Sequence, residues 1–181
     1  MCANFIRPVR NNRPLAREEE KLAKISIWWD IDSCPIPPNY DATTIVHNFT
    51  EALRGSDFDG ELSINVFGDV VRINRDVISQ LNRAGLNIIH APVNDSDDAA
   101  SYILIVDMWF WTHGNRPPAN ILLISGDYGV WNSLADLNSY GYNSMLAYQR
   151  TTPIVDPPIA IDIIWQWRNL LNGEPPEPIP D

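Results

Sequence analysis

The chain has 181 residues, 45% of them hydrophobic, 20% charged and 10% aromatic, so it can bury one core and is too apolar for a disordered chain. Thirteen Lys and Arg against 23 Asp and Glu give a net charge of −10, which excludes gripping a polyanion through a broad basic face. No apolar run approaches the ~18 residues of a membrane helix, and two cysteines exclude a disulfide framework.

Charge is unevenly spread. Residues 1–24 carry six basic side chains against three acidic ones, and no lysine follows Lys24. This stretch reads as a basic N-terminal arm, or as a short leading helix from Pro14 to Lys24. Residues 1–6 lack the apolar stretch of a secretory leader, and sparse cysteines fit a reducing compartment. The expected location is intracellular, in cytoplasm or nucleus, with an organelle left open.

Between the arm and a proline-rich tail at 173–181, residues 25–172 read as one domain in which strand and helix signals alternate. Ile25 to Asp30 is a β-rich apolar run, a buried strand that turns Trp28 and Trp29 to opposite faces. Apolar residues at 45, 46, 49 and 53 predict a helix from Tyr40 to Arg54, capped by Asp41. Glu61 to Phe67 alternates as a strand and stops at Gly68-Asp69. Val77, Ile78 and Leu81 predict a helix over Asn74 to Ala84, closed by Gly85. Leu86 to His90 is a third strand, and Asp97 to Thr112 a helix apolar on nearly every side. Ile121 to Ser125 is a fourth strand, followed by a helix from Gly129 to Tyr140. A strand from Asn143 to Tyr148 and a last helix from Ile159 to Leu171 complete the series. The alternation predicts an α/β, three-layer sandwich around a central, mostly parallel sheet.

In open α/β sheets, ligands sit beyond the carboxyl ends of the strands, where strand order reverses. Asp30 ends the first strand, Asp69 follows the second, Asp127 follows the fourth, and Asp97 and Asp98 open the long helix. Gathered carboxylates repel unless a proton or a cation lies among them, and oxygen-only donors suit Mg²⁺ or Mn²⁺. Ser125 precedes Asp127 in a tight turn, while Asp32 and Ser33 follow Asp30. Asp107 lies nine residues past Asp98, half a helical rotation away, and reads mainly as structural, a secondary candidate for the site. His47, His90 and His113 lack metal-ligand spacing, and the chain carries no nucleophile elbow or glycine-rich phosphate loop.

Four motifs in order carry a resemblance: Trp28-Trp-Asp-Ile-Asp-Ser-Cys-Pro35, Leu62-Ser-Ile-Asn-Val-Phe-Gly-Asp69, Ile105-Val-Asp-Met-Trp-Phe-Trp111 and Pro118-Ala-Asn-Ile-Leu-Leu-Ile-Ser-Gly-Asp127. On them, residues 25–150 resemble the NYN domain family of the PIN-like metal-dependent nuclease superfamily, in its limkain-like branch common in plants. The resemblance implies a PIN-like sheet and a divalent-metal-dependent endoribonuclease. It carries catalytic roles onto Asp30, Asp69 and Asp127, with Mg²⁺ or Mn²⁺ held by Asp30, Asp98 and Asp127. The family's helix acid falls on Ser101, so Asp97 or Asp98 substitutes from one turn further out. The family's Asp-Ile-Glu-Asn-Cys reads Asp30-Ile-Asp32-Ser33-Cys34, and the second acid of Ser-Gly-Asp-x-Asp-Phe is Gly129.

Three functions follow. The first is RNA hydrolysis, with Ser125 as a phosphate contact and Arg72 and Arg75 touching RNA, helped by Arg83 and the basic arm. The second is a catalytically weakened NYN fold that binds RNA or a protein. The third is a haloacid-dehalogenase-type phosphohydrolase with Asp30 and Asp32 as its acid pair, for which Arg116 is the one candidate phosphate holder. Trp109, Phe110 and Trp111 are consecutive on a helix, so at least one faces outward. A homodimer is expected through this helix, or through the last helix with Trp165 and Trp167.

Overall fold

The wholly buried run Ile25–Asp30 (β1) forms the middle of the sheet in a computed structural model. The structure describes residues 16–38, 40–92, 99–149, 157–158 and 160–177, with Ala99 and Ala100 by backbone alone. After β1 come Ala42–Arg54 (α1), Leu62–Gly68 (β2), Arg75–Arg83 (α2), Asn87–His90 (β3) and Ala99–Thr112 (α3). Asn120–Ile124 (β4), Tyr128–Ser139 (α4), Asn143–Tyr148 (β5), Ile163–Gln166 (β6) and Trp167–Leu171 (α5) follow. The six strands lie in the order β3-β2-β1-β4-β5-β6, and every pairing is parallel.

That order positions the site. The chain builds outward from β1 to β3, then α3 returns it across the sheet so that β4 pairs with the other side of β1. Strand order therefore reverses between β1 and β4, and their carboxyl ends flank the crevice where such sheets bind ligands. Trp29 packs with Phe49, Leu81 and Leu170 on the face covered by α1, α2 and α5. Trp28 packs with Leu104, Met108 and Leu134 on the face covered by α3 and α4. The two adjacent indoles thus serve opposite cores, as the strand period requires. Asp41 caps α1 by accepting from Thr44 N at 2.9 Å, and Gly85, at φ +80°, ends α2 in a conformation that favours glycine.

Three boundaries differ from the sequence reading. The last helix is shorter, because Ile163–Gln166 forms β6 before α5 begins. Ile163 and Trp165 are buried while Ile164 and Gln166 are half-buried, a period of two that pairs with β5. The stretch 16–24 is a series of turns rather than a helix or a free arm. Ala16 N donates to Ser56 O at 3.0 Å, and Asn120 Nδ2 to Glu20 O at 2.9 Å, fixing it at the amino edge of the sheet. The tail also docks: Glu177 N donates to Ile164 O at 2.7 Å and Trp165 Nε1 to Glu174 O at 3.2 Å, covering the outer strand. Among the described residues no helix is long and apolar enough to cross a membrane.

Candidate active site

Asp30 is the last residue of β1 and only 5% exposed, so its charge must be met by the chain itself. Its Oδ1 accepts from the amides of Asp32 at 3.1 Å and Ser33 at 3.2 Å. Its Oδ2 accepts from Ser33 Oγ at 2.5 Å and Ser125 Oγ at 3.1 Å. Four donors thus occupy the roughly four lone-pair positions of a carboxylate. The same hydroxyls reach across to β4's exit: Ser33 Oγ accepts from Gly126 N at 2.9 Å and Ser125 Oγ from Asp127 N at 3.0 Å. Two serines therefore tie the Asp30 carboxylate to the backbone N–H groups of Gly126 and Asp127 across the β1–β4 crevice.

Asp127 caps α4, its Oδ1 accepting from Gly129 N at 2.8 Å. Its Oδ2 accepts from Ser101 Oγ, which α3 presents from its first turns. Ser101, Tyr102, Ile105, Asp127 and Gly129 line a cleft of about 220 Å³ beside these groups. Ser101 thus does reach the site. Ser125 does too, but it is fully buried, so its hydroxyl orients Asp30 instead of facing a phosphate.

Asp69 turns away. Its Oδ1 accepts from Val71 N at 3.0 Å, and its Oδ2 lies 3.4 Å from Arg72 Nε, with His90 Nδ1 3.9 Å from Oδ1. Asp69 joins the centre only through its backbone N–H, which donates to Asp32 Oδ2 at 2.9 Å. Of the three acids expected around one cation, Asp30 and Asp127 stand at the strand ends that flank the β1–β4 crevice, while Asp69 is drawn into a turn with Arg72. Asp107 is half-buried further along α3, and no described hydrogen bond or ion pair ties it to the centre. Asp97 and Asp98 lie outside the described residues.

Asp32 carries the electrostatic strain. Partial loss of water, then the charges of Asp30 and Asp69, hold its carboxyl above the usual value, against the pull of Asp69's amide and Arg72. The folded chain therefore binds a proton here more readily than the unfolded one. Stability is lost as pH rises from the ordinary carboxylate range through the raised value, and stays lost above it. Asp32→Asn keeps an acceptor for the Asp69 amide and removes the charge. Its melting temperature should exceed wild type at pH 7, with the gap closing as Asp32 itself protonates in acid. Cys34 is buried, and burial followed by Asp30's charge pushes its thiol up to about 12, so it offers no thiolate near neutral pH.

Sequence reasoning missed three residues that hold these loops. Trp29 Nε1 donates to Cys34 O at 2.8 Å, Trp131 Nε1 to Ser125 O at 2.9 Å and Trp167 Nε1 to Pro35 O at 3.2 Å. Each is a buried indole whose one polar atom needs an acceptor, and each finds it at a strand exit. The abundance of tryptophan was the visible signal.

The NYN domain family matches residues 24–155, which include every strand but β6 and every acid of the crevice. The chain belongs to the NYN domain family. Its fold is that of PIN-like nucleases. Similar proteins include Meiosis regulator and mRNA stability factor 1 of Mus musculus, 27% identical over 132 residues, and that of Xenopus tropicalis, 28% identical over 121. The alignments cover 72% and 66% of this chain but 7% of each relative's length. A Vibrio parahaemolyticus crystal structure of a protein of unknown function shares the fold at a TM-score of 0.52 and 13% identity, over 75% of this chain and 85% of that one.

The donor set around the crevice is all oxygen, which suits Mg²⁺ or Mn²⁺. Mg²⁺ in particular often takes only one or two carboxylates and keeps several waters. Asp127 retains unused lone pairs, and Asp30 is freed on one oxygen if Ser33 or Ser125 turns its hydroxyl. Among the described residues no three His, Cys, Asp or Glu side chains converge as a metal set. Of the described residues, Asp30 and Asp127 are the ones that could hold such a cation.

Proposed function

We propose that this NYN domain is a divalent-metal-dependent endoribonuclease that works at the β1–β4 crevice. The observation that carries the reading is the pairing of Asp30 and Asp127 across the reversal of strand order, held by Ser33 and Ser125. The relatives' names refer to mRNA stability, which supports RNA as the substrate class. Mg²⁺ or Mn²⁺, held by Asp30, Asp127 and an acid of the loop with Asp97 and Asp98, would compensate phosphate charge and activate water. Asp30 is fixed in orientation by its four donors, and Asp127 by the start of α4. Asp32, with its raised affinity for a proton, is the described acid best suited to take one from the attacking water. Arg72 and Arg75 stand exposed on the same edge, where they can meet phosphates.

A second reading, binding of RNA without cleavage, is favoured by one contact. The hydroxyl of Ser101 occupies Asp127 Oδ2 where the family places an acid, and Gly129 removes another. Incubating single-stranded and structured RNA with the protein in Mg²⁺, Mn²⁺ or chelator separates the two. Cleavage only with cation supports the first, and binding without cleavage the second. The haloacid-dehalogenase alternative is set aside, because Arg116 precedes β4 and lies at the amino edge, across the sheet from Asp30.

We also propose a homodimer through α3. Tyr102, Val106 and Phe110, spaced at i, i+4 and i+8, are 66%, 63% and 74% exposed. An exposed apolar stripe of this kind is a surface through which two copies can meet. Trp165 and Trp167 are buried in the core and cannot form the contact. Phe110→Asp should convert a dimer of about 41 kDa, twice the 20.5 kDa chain, to monomer in light scattering. A wild type that is already monomeric at high micromolar concentration would remove the dimer.

A further inference from the structure

A parallel sheet with every strand running one way sorts the chain's cations by edge. Arg54 and Arg83 end α1 and α2, Arg116 precedes β4, and Arg17, Lys21 and Lys24 precede β1, so all six lie towards the amino edge. Among the described residues, only Arg72, Arg75 and Arg168 stand at the carboxyl edge with the crevice. Arg72 is partnered by Asp69. Arg168, in the first turn of α5, is exposed and forms no ion pair among the described residues.

Arg168 borders a groove of about 560 Å³ that begins at the loop leaving Asp30. It is lined by Pro35 to Pro38 and Tyr40 on the stretch after β1, and by Gln149 after β5, Gln166 at the end of β6, and Arg168. Trp167, itself buried, also lines it and donates to Pro35 O at 3.2 Å. The described lining holds no carboxylate, although the chain as a whole is strongly acidic. Glu177 borders the groove, accepting from Gln166 Nε2 at 2.9 Å. The loop that leaves Asp30 links groove and crevice: Ser33 on it is bonded to Asp30 and to Gly126, and Pro35, two residues on, lines the groove.

We propose that this groove is a subsite for single-stranded RNA, carrying the strand away from the crevice over β5 and β6. The proposal rests on RNA being the ligand of the crevice. Its parts match what a single strand needs: a cation for a phosphate, an aromatic ring and flat proline faces for bases, and amides for base edges. Ring faces and base-edge donors engage bases that are not paired, so the groove favours an unpaired flank next to the site of attack.

Fluorescence anisotropy in chelator, with short and long single-stranded oligonucleotides, tests it. Arg168→Glu should weaken binding of the long oligonucleotide about tenfold and lower its salt slope by about one. It should leave binding of the shortest one that fills only the crevice unchanged. Arg168→Ala should weaken long-strand binding less than Arg168→Glu, and Arg83→Glu, at the opposite edge, should match wild type. Equal long-strand affinity for wild type and Arg168→Glu overturns the groove while leaving the crevice reading intact. Equal losses from Arg83→Glu and Arg168→Glu also overturn it, as a general charge effect. A wild type that binds no RNA of any length overturns the functional reading itself.

Discussion

Replacing Asp30 with Asn is expected to abolish RNA cleavage while the protein melts close to the wild-type temperature. Asn keeps one oxygen to accept from the amides of Asp32 and Ser33, and its Nδ2 can donate to a hydroxyl that turns to accept. What it loses is the charge on which cation binding depends. Asp30→Ala is different, because it strands the buried Ser125 hydroxyl, the half-buried Ser33 hydroxyl and two amides that met a carboxylate. It should lower stability by about 2–3 kcal/mol, the scale of a lost charge-assisted network. For a chain of this length that is a fall of roughly 5–10 °C in Tm. Thermal melts of both variants beside cleavage assays check this. Undiminished cleavage by Asp30→Asn removes Asp30 from the site.

Ser101→Asp should give the second large effect, and it runs in opposite directions with and without cation. The new carboxylate faces Asp127 Oδ2 in place of a donor, in a position only 9% exposed. In chelator the two like charges should cost about 1–3 kcal/mol. With Mn²⁺ or Mg²⁺ at ~100 times the dissociation constant, binding should return about 2.7 kcal/mol. Cleavage should rise with it if the missing helix acid limits the natural site. A Tm that is the same in chelator and in Mn²⁺ would show that Ser101 does not border a cation site.

Much of this arrangement was legible in the sequence, for a physical reason. Asp30 and Asp127 each follow a run of β-forming apolar residues, and a buried parallel strand that ends in an acid exposes it at one edge only. The turn at Gly68-Asp69 was equally visible, but whether Asp69 faces the crevice or Arg72 depends on a side-chain torsion that spacing does not set. Ile163 to Gln166 was misread because a short apolar run satisfies both periods until its neighbour, β5, selects one. The basic residues of 16–24 looked available to RNA until the topology placed them at the far edge. The indoles of Trp29, Trp131 and Trp167 were visible as bulk, whereas the carbonyls they hold are set by tertiary structure.

Repulsion among crowded acids was a sound expectation from the sequence, yet it falls on a different residue. Asp30 and Asp127 are met by hydroxyls and amides, and the carboxyl held above its usual value is that of Asp32, by loss of water first and then by its acidic neighbours. Ser33, Ser125 and Ser101 hold these carboxylates through hydroxyl donors, which can turn aside for a cation.

The central claim is that a divalent cation binds between Asp30 and Asp127. Crystals grown with Mn²⁺ and measured for its anomalous scattering test this directly. The account predicts a peak in the β1–β4 crevice against both carboxylates, absent in Asp127→Asn. A peak elsewhere on the acidic surface, with none in the crevice, would contradict it.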